Sequence, residues 1–226
     1  MTQAIVCHNG HGLVLASDSS VLHEEQGGRV EHRAEQRLYA LGSHAAILCA
    51  GGMAGVELSA RLAQWMQSRD SLEFDDVLAV GRDFLAGGYA RYLRTNHGRT
   101  EGQPAANRHL YFIIGGYAPS RTEAPYQAVL LQSEAGELPF QETRLGYVFT
   151  LPRRLSLEER ITRQIAEGAS LRGLARSCRA ALVSLAQRNP ESMAAPFQVA
   201  MLTAEGIAFL DDAGLPEEPD DEEEKD

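Results

Sequence analysis

The order in which apolar segments of strand length and helix length follow one another does most to limit the possible folds. Two hairpins come first, followed by two helices, three strands, two helices and a final hairpin. Paired helices between antiparallel hairpins argue against a doubly wound parallel sheet. They predict an α+β fold, a four-layer αββα sandwich of two stacked antiparallel sheets with helices outside. The predicted strands are residues 3–8, 12–17, 37–41, 45–50, 109–115, 127–132, 144–150, 197–202 and 206–210, and the predicted helices are residues 54–68, 74–95, 156–166 and 170–187.

Local signals refine the expected boundaries of these elements. Asn9-Gly10 predicts a tight turn with positive φ between the first two strands. Ser156 and Glu159 have the spacing of a capping box, which predicts the start of the third helix. Residues 22–36 are polar and contain two adjacent glycines, so they are predicted to form a loop.

Length and charge separate the chain into a domain and a tail. The 226 residues, 44% of them hydrophobic, suit one domain at residues 1–214. The net charge of −10 lies mostly in residues 215–226, where eight acids and one lysine predict an acidic disordered tail. No basic segment is concentrated enough to predict nucleic-acid binding, and the absence of an apolar run of about 18 residues predicts no membrane span. Without a secretory signal pattern, the expected compartment is the cytoplasm.

The residue inventory also limits the chemistry. Lys225 is the only lysine of the chain, so a lysine-dependent reaction inside the domain is excluded. The three cysteines lie far apart in apolar segments, which indicates reduced core residues rather than disulfides or zinc ligands. His8 and His11 flank a turn without further ligands at a suitable spacing. We therefore expect neither a metal nor a cofactor.

The N-terminus offers a candidate nucleophile. Removal of Met1 by methionine aminopeptidase would expose Thr2. A threonine at the mature N-terminus has a hydroxyl nucleophile and its own α-amine as the base. An unperturbed α-amine has a pKa of about 7.7–8.0, so an appreciable fraction is unprotonated at neutral pH.

Three segments in register carry a resemblance to a known family. Thr2 begins an apolar strand, and Gly12-Leu-Val-Leu-Ala-Ser-Asp18 brings an aspartate sixteen residues after it. Arg37-Leu-Tyr39 and Ala46-Ile-Leu-Cys-Ala-Gly-Gly52 follow, the latter an apolar strand that ends in glycine before a helix. This pattern over residues 2–66 resembles the proteasome β-subunit-type N-terminal-nucleophile (Ntn) hydrolases. The resemblance implies an Ntn-hydrolase sandwich.

The resemblance also implies roles for individual residues. Thr2 would be the nucleophile, Asp18 would support the basic residue beside it, and the N–H of Gly51 would stabilise the oxyanion. The first specificity pocket would be apolar and lined by Val21, Cys49 and Met53. The implied assembly is a homo-oligomeric ring that receives polypeptide substrates from an ATP-dependent unfoldase.

The chain departs from the family pattern at several positions. Arg37 occupies the position of the catalytic lysine; it keeps the positive charge but cannot relay a proton. Ser19-Ser20 replaces a basic residue, and Gly146-Tyr147 is the nearest remnant of a Gly-Ser-Gly turn. Glu191 and Ser192 are the candidates for a supporting loop before the last hairpin.

These departures leave three functions open. The favoured one is a threonine peptidase that hydrolyses peptide bonds with Thr2. The second is a catalytically silent subunit that keeps the scaffold and the ring. The third is an Ntn amidase of narrow specificity that acts on a small molecule or forms a peptide bond.

Overall fold

The computed structural model describes residues 2–24, 30–67, 69, 73–95, 109–134, 136–193 and 195–210. The predicted tail, residues 215–226, lies outside the described residues. The strands are β1 (Ala4–Asn9), β2 (Gly12–Ser17), β3 (Ser20–Glu24), β4 (Val30–Ala34), β5 (Leu38–Ala40), β6 (Ala45–Gly51), β7 (Leu110–Tyr117), β8 (Tyr126–Ser133), β9 (Gln141–Arg144), β10 (Val148–Leu151), β11 (Gln198–Thr203) and β12 (Gly206–Leu210). The helices are α1 (Met53–Met66), α2 (Phe74–Thr95), α3 (Leu155–Ala166) and α4 (Leu171–Arg188).

Ten of these strands form two antiparallel five-stranded sheets. The first sheet has the order β10-β1-β2-β11-β12, and the second has the order β5-β6-β7-β8-β9. Strands β3 and β4 pair separately as a two-stranded hairpin. Since all pairings in the two large sheets are antiparallel, the predicted sheet type is confirmed.

The core is divided into three apolar layers, which explains why the central strands are apolar on both faces. In β1, Ala4 and Val6 point into the layer between the two sheets. Ile5 and Cys7 point the other way, into the layer beneath α3 and α4. A third layer lies between the second sheet and α1–α2. The predicted four-layer αββα sandwich is therefore the fold of the chain.

The prediction of residues 22–36 as a loop was wrong, because all of β4 and residues 22–24 of β3 fall inside it. The segment predicted as one strand, residues 144–150, instead contributes to two strands. Arg144 ends β9, whereas Val148 begins β10. All four side chains of β9 are exposed on an edge strand, so this segment carries no apolar alternation.

Two local signals led to structures other than those expected. Gly10 does not have a positive φ; the Asn9 side chain instead accepts the His11 N–H at 2.8 Å across the turn. Ser156 lies within α3 and does not cap it. At the next helix Ser170 is the N-cap and accepts the Gly173 N–H at 3.1 Å.

Among the described residues, no helix combines the length and the apolar character that crossing a membrane requires.

Candidate active site

The hairpin of β1 and β2 brings the start of the chain and Asp18 together. Ala4 pairs with Ser17, so the residues just before β1 lie beside the residue just after β2. The backbone N–H of Gln3 donates to the Asp18 carboxylate at 2.7 Å. Thr2, next to this hydrogen bond, is 5% exposed. The spacing of sixteen residues between Thr2 and Asp18 thus corresponds to direct proximity in the fold.

Asp18 is a completely buried acid that accepts two backbone hydrogen bonds. Its second oxygen accepts the N–H of Ser20 at 3.2 Å. Burial raises the pKa of Asp18, while the two N–H donors and the positive charge of Arg37 oppose the rise. The donors and the arginine therefore favour the carboxylate within an environment that disfavours charge.

Arg37 extends its side chain into the same region and is 1% exposed. Its Nη2 donates to the carbonyl of Ser20 at 2.9 Å, and its Nη1 donates to the carbonyl of Cys49 at 3.4 Å. Its Nε is buried and forms no hydrogen bond. The structure thus places a fixed positive charge beside Asp18, between β3 and the end of β6.

Gln198 at the start of β11 anchors Arg37 from the other side. Its Oε1 accepts the backbone N–H of Arg37 at 2.8 Å and that of Leu38 at 3.0 Å. Its Nε2 donates to the carbonyl of Glu35 at 2.9 Å. One amide side chain therefore fixes the backbone on both sides of the arginine, and sequence reasoning missed it.

Gly51 ends β6 at the junction with α1 and has a φ of +100°. This region favours glycine, and a Cβ added here would collide with the carbonyl oxygen of His109. Cys49, two residues earlier, donates its N–H to the Arg37 carbonyl at 2.9 Å. The backbone of β6 therefore connects Gly51 to Arg37.

The predicted specificity pocket is placed only in part. Cys49 is completely buried in the layer beneath α1 and α2, and burial raises the pKa of its thiol. Met53 is partly buried against the same layer. The side chain of Val21 lies outside the described part of the chain.

A cavity of about 510 Å³ lies next to the cluster of Asp18 and Arg37, on the side of Gln198. It opens between the segment before β5 and the last hairpin, with Ser19, Leu38 and Gln198 in its wall. Aromatic and aliphatic side chains of the last hairpin region also line it: Phe197, Val199, Phe209 and Leu210.

The candidate supporting loop is a local turn after α4. The N–H and hydroxyl of Ser192 both donate to the carbonyl of Asn189, at 3.1 and 3.4 Å. Glu191 is exposed. Gly146-Tyr147 lies at the far end of β1 from Thr2, because the Tyr147 carbonyl accepts the N–H of His8. No hydrogen bond described for these residues connects them to Thr2.

A second polar network, also missed from sequence, supports the strand that begins after Thr2. Gln3 donates to the carbonyl of Leu151 at 3.2 Å and accepts from Nε of Arg154 at 2.6 Å. The backbone N–H of Arg154 donates to the hydroxyl of Thr150, which donates to Glu158. Gln3 is therefore fixed to β10 and to the start of α3.

Glu158 is the acceptor on which this network ends. It accepts the N–H and hydroxyl of Thr150 at 2.9 and 2.7 Å, and it forms an ion pair with Arg153 at 2.6 Å. Although burial raises the pKa of Glu158, these donors lower it below its ordinary value. Glu158 lies in the segment of the predicted capping box, but it connects β10 to α3 and does not cap the helix.

Comparison with known proteins finds likeness among solved structures. No family model matches the chain, and no curated protein matches it. A solved structure described as the helical assembly of the Anbu complex from Pseudomonas aeruginosa matches with a TM-score of 0.64 and 17% identity. The match covers 93% of this chain and 87% of the other.

This result corrects the family assignment. The identification of the chain as a proteasome β-subunit-type family member was wrong, because no family model or curated sequence supports it. A structural likeness at 17% identity shows a shared fold. In this chain, the short motifs at residues 2–52 form a hairpin, a buried cation and a glycine turn. The likeness to the Anbu complex is one of fold.

Proposed function

We propose that this chain is an N-terminal threonine hydrolase that cleaves peptide bonds with Thr2, after removal of Met1. The observation that carries the proposal is the buried set of charges beside Thr2. Asp18 accepts the N–H of Gln3, the residue after Thr2, and the Arg37 guanidinium donates to the carbonyls of Ser20 and Cys49. Burying a cation and an acid is unfavourable unless each has partners, so this arrangement indicates a site rather than ordinary core packing.

The reaction would proceed through an acyl-enzyme. The free α-amine of Thr2 accepts the proton of the Thr2 hydroxyl as its oxygen attacks the substrate carbonyl. The amine of the leaving peptide then receives that proton, and an ester remains on Thr2. Water hydrolyses the ester in a second step with the α-amine again as the base.

Arg37 would act by charge alone. A positive charge near the α-amine of Thr2 would favour the unprotonated form of that amine. Since a guanidinium keeps its protons, Arg37 does not take part in proton transfer. The backbone N–H of Gly51 is the proposed donor to the oxyanion, at a turn that only glycine accommodates without strain.

The assembly and substrate belong to the same proposal. The matched structure is a helical assembly of the Anbu complex, which supports a homo-oligomeric state for this chain. We propose an unfolded polypeptide as substrate, a ring or a related closed assembly, and an ATP-dependent unfoldase as partner in the cytoplasm. An apolar preference would follow from Val21, Cys49 and Met53.

Arg37 itself favours a second candidate, a catalytically silent subunit. The domain has no lysine, and Glu191 and Ser192 form a local turn without a described bond to Thr2. Such a chain would keep the sandwich and its assembly but would not turn over amides. A narrow-specificity amidase is the third alternative, and an exposed site on a monomer or dimer would favour it.

The decisive experiment is the intact mass of the purified protein before and after treatment with a peptide epoxyketone. This probe forms its ring adduct only with a hydroxyl and a free α-amine on one residue. We expect loss of Met1 and one stable adduct per chain, with no adduct in Thr2→Ala. Thr2→Ser is the matched control, because it keeps both reacting groups. Retention of Met1 would favour the silent subunit, and so would an N-terminal Thr2 that forms no adduct.

A further inference from the structure

The outer helix layer formed by α3 and α4 has an excess of positive charge. Residues 153–188 contain eight arginines and three glutamates, a balance of +5. The opposite helix layer, residues 53–95, contains five arginines and six acids, a balance of −1. The body of the protein as a whole, residues 1–214, has a charge of −3 because twenty arginines face twenty-three acids. The positive charge is therefore concentrated on one of the two helix layers.

Five arginines of this layer are exposed, more than its three glutamates can neutralise. Arg153 pairs with Glu158, and we call the other four the arginine face; they are Arg160, Arg163, Arg172 and Arg188. The apolar side chains of both helices point inward to the first sheet, so the arginine face is the outer side. Glu158 is engaged by Arg153, and Glu159 lies 3.7 Å from Arg163. Glu167 completes the acids of this layer.

The chain itself carries a complementary segment that begins beside this layer. Residues 211–226 contain ten acids and one lysine. The last described residue, Leu210, packs against the apolar layer beneath α3 and α4. Sixteen residues span up to about 50 Å when extended, whereas the 18 residues of α4 are about 27 Å long. The acidic segment can therefore reach the whole arginine face from its point of departure.

We propose that residues 211–226 bind the arginine face of the same chain. Arginine and carboxylate pair through charge-assisted hydrogen bonds, and a tether of this length gives a high effective concentration. Salt weakens such an exposed contact, since charges more than about 8–10 Å apart are screened at physiological ionic strength. The segment then covers one outer helix layer and competes with any acidic partner for it. The proposal is independent of Thr2 and of hydrolysis.

The only lysine of the chain, Lys225, lies in the acidic segment and permits a specific test. A crosslinker with an amine-reactive ester and an arginine-reactive glyoxal joins Lys225 to nearby arginines in the full chain. We expect mass spectrometry to find Lys225 joined mainly to the arginine face, at least fivefold more than to the opposite layer. That layer offers a matched set of exposed arginines: Arg61, Arg82, Arg91 and Arg94.

Three outcomes would overturn the proposal. The first is an equal distribution of crosslinks over the two helix layers. The second is a pattern that persists in 1 M NaCl or after the acids of residues 217–224 are changed to Gln and Asn. The third comes from mixing ¹⁴N-labelled and ¹⁵N-labelled protein before crosslinking. Crosslinks between the two isotopes would assign the acidic segment to a second copy instead of the same chain.

Discussion

Arg37 is the residue that most distinguishes this site. It retains the positive charge expected beside Thr2, and two backbone carbonyls and Asp18 compensate its burial. A guanidinium cannot release a proton, so the charge is separated from proton transfer at this position. The choice between a working hydrolase and a silent subunit therefore depends on what Arg37 does at this position.

Arg37→Lys tests whether a residue that can transfer a proton at position 37 increases activity. If proton transfer is what the site lacks, lysine should raise kcat on a fluorogenic peptide amide at least about tenfold, since positioned acid–base groups contribute about 10²–10⁴-fold. Arg37→Met is the matched control, because it removes the charge and should reduce activity below that of the natural chain. An unchanged or lower rate in Arg37→Lys would show that the site is adapted to arginine.

Gln198 gives a second prediction at this scale. Gln198→Leu removes the acceptor of two backbone N–H groups and should destabilise the fold by about 1–3 kcal/mol. Since these groups flank Arg37, the formation rate of the epoxyketone adduct should also fall. Gln198→Glu keeps the acceptor oxygen but replaces the donor to Glu35 with a charged carboxylate oxygen. Urea denaturation and adduct rates should therefore rank Gln198→Glu above Gln198→Leu; equal behaviour would exclude an anchoring role.

Sequence reasoning named some residues of the candidate site and not others for a physical reason. Thr2, Asp18 and Gly51 belong to a hairpin and a strand end, whose spacing is set by local geometry. Gln198 lies 161 residues from Arg37. No sequence pattern indicates which backbone groups a polar residue at the start of a strand will bind. Arg154 meets Gln3 over a comparable separation.

The same division holds for whole elements. Strands with apolar faces, such as β1, β6 and β7, were predicted closely because burial imposes a pattern on their sequence. Strand β9 is exposed at every position and was missed. Ser156 and Glu159 showed the letters of a capping box, yet the helix starts at Leu155 and Glu158 binds Thr150. Tertiary partners determined that helix end.

Glu158 predicts a pH dependence for the junction of β10 and α3. The pKa of Glu158 is lowered in the fold, so its stabilisation is present above its unfolded pKa and is lost as pH falls through its folded value. Glu158→Gln should reduce the free energy of unfolding by about 1 kcal/mol at pH 7, because solvent screens the Arg153 pair. The difference from the natural chain should shrink below about pH 4.5 in urea denaturation. A difference independent of pH would contradict this assignment.

At the scale of the whole molecule, stability depends on the three apolar layers. Leu15 is 1% exposed in the layer between the sheets. Leu15→Ala should lower the free energy of unfolding by about 2–5 kcal/mol, because a cavity remains between two stiff sheets. Leu155, 72% exposed at the start of α3, is the matched control and should change it by less than about 0.5 kcal/mol. Similar losses at the two positions, measured in urea, would argue against the layered core.

The bond between Gln198 and the backbone of Arg37 has a consequence for biosynthesis. The ribosome synthesises Arg37 long before Gln198, and it likewise synthesises strand β2 long before the pairing strand β11. At about 5–20 residues per second, the 161 intervening residues take roughly 8–32 s to translate. Throughout that interval the nascent chain contains Thr2 but lacks the anchor of Arg37. Translation order therefore postpones assembly of the candidate site until Gln198 has been made.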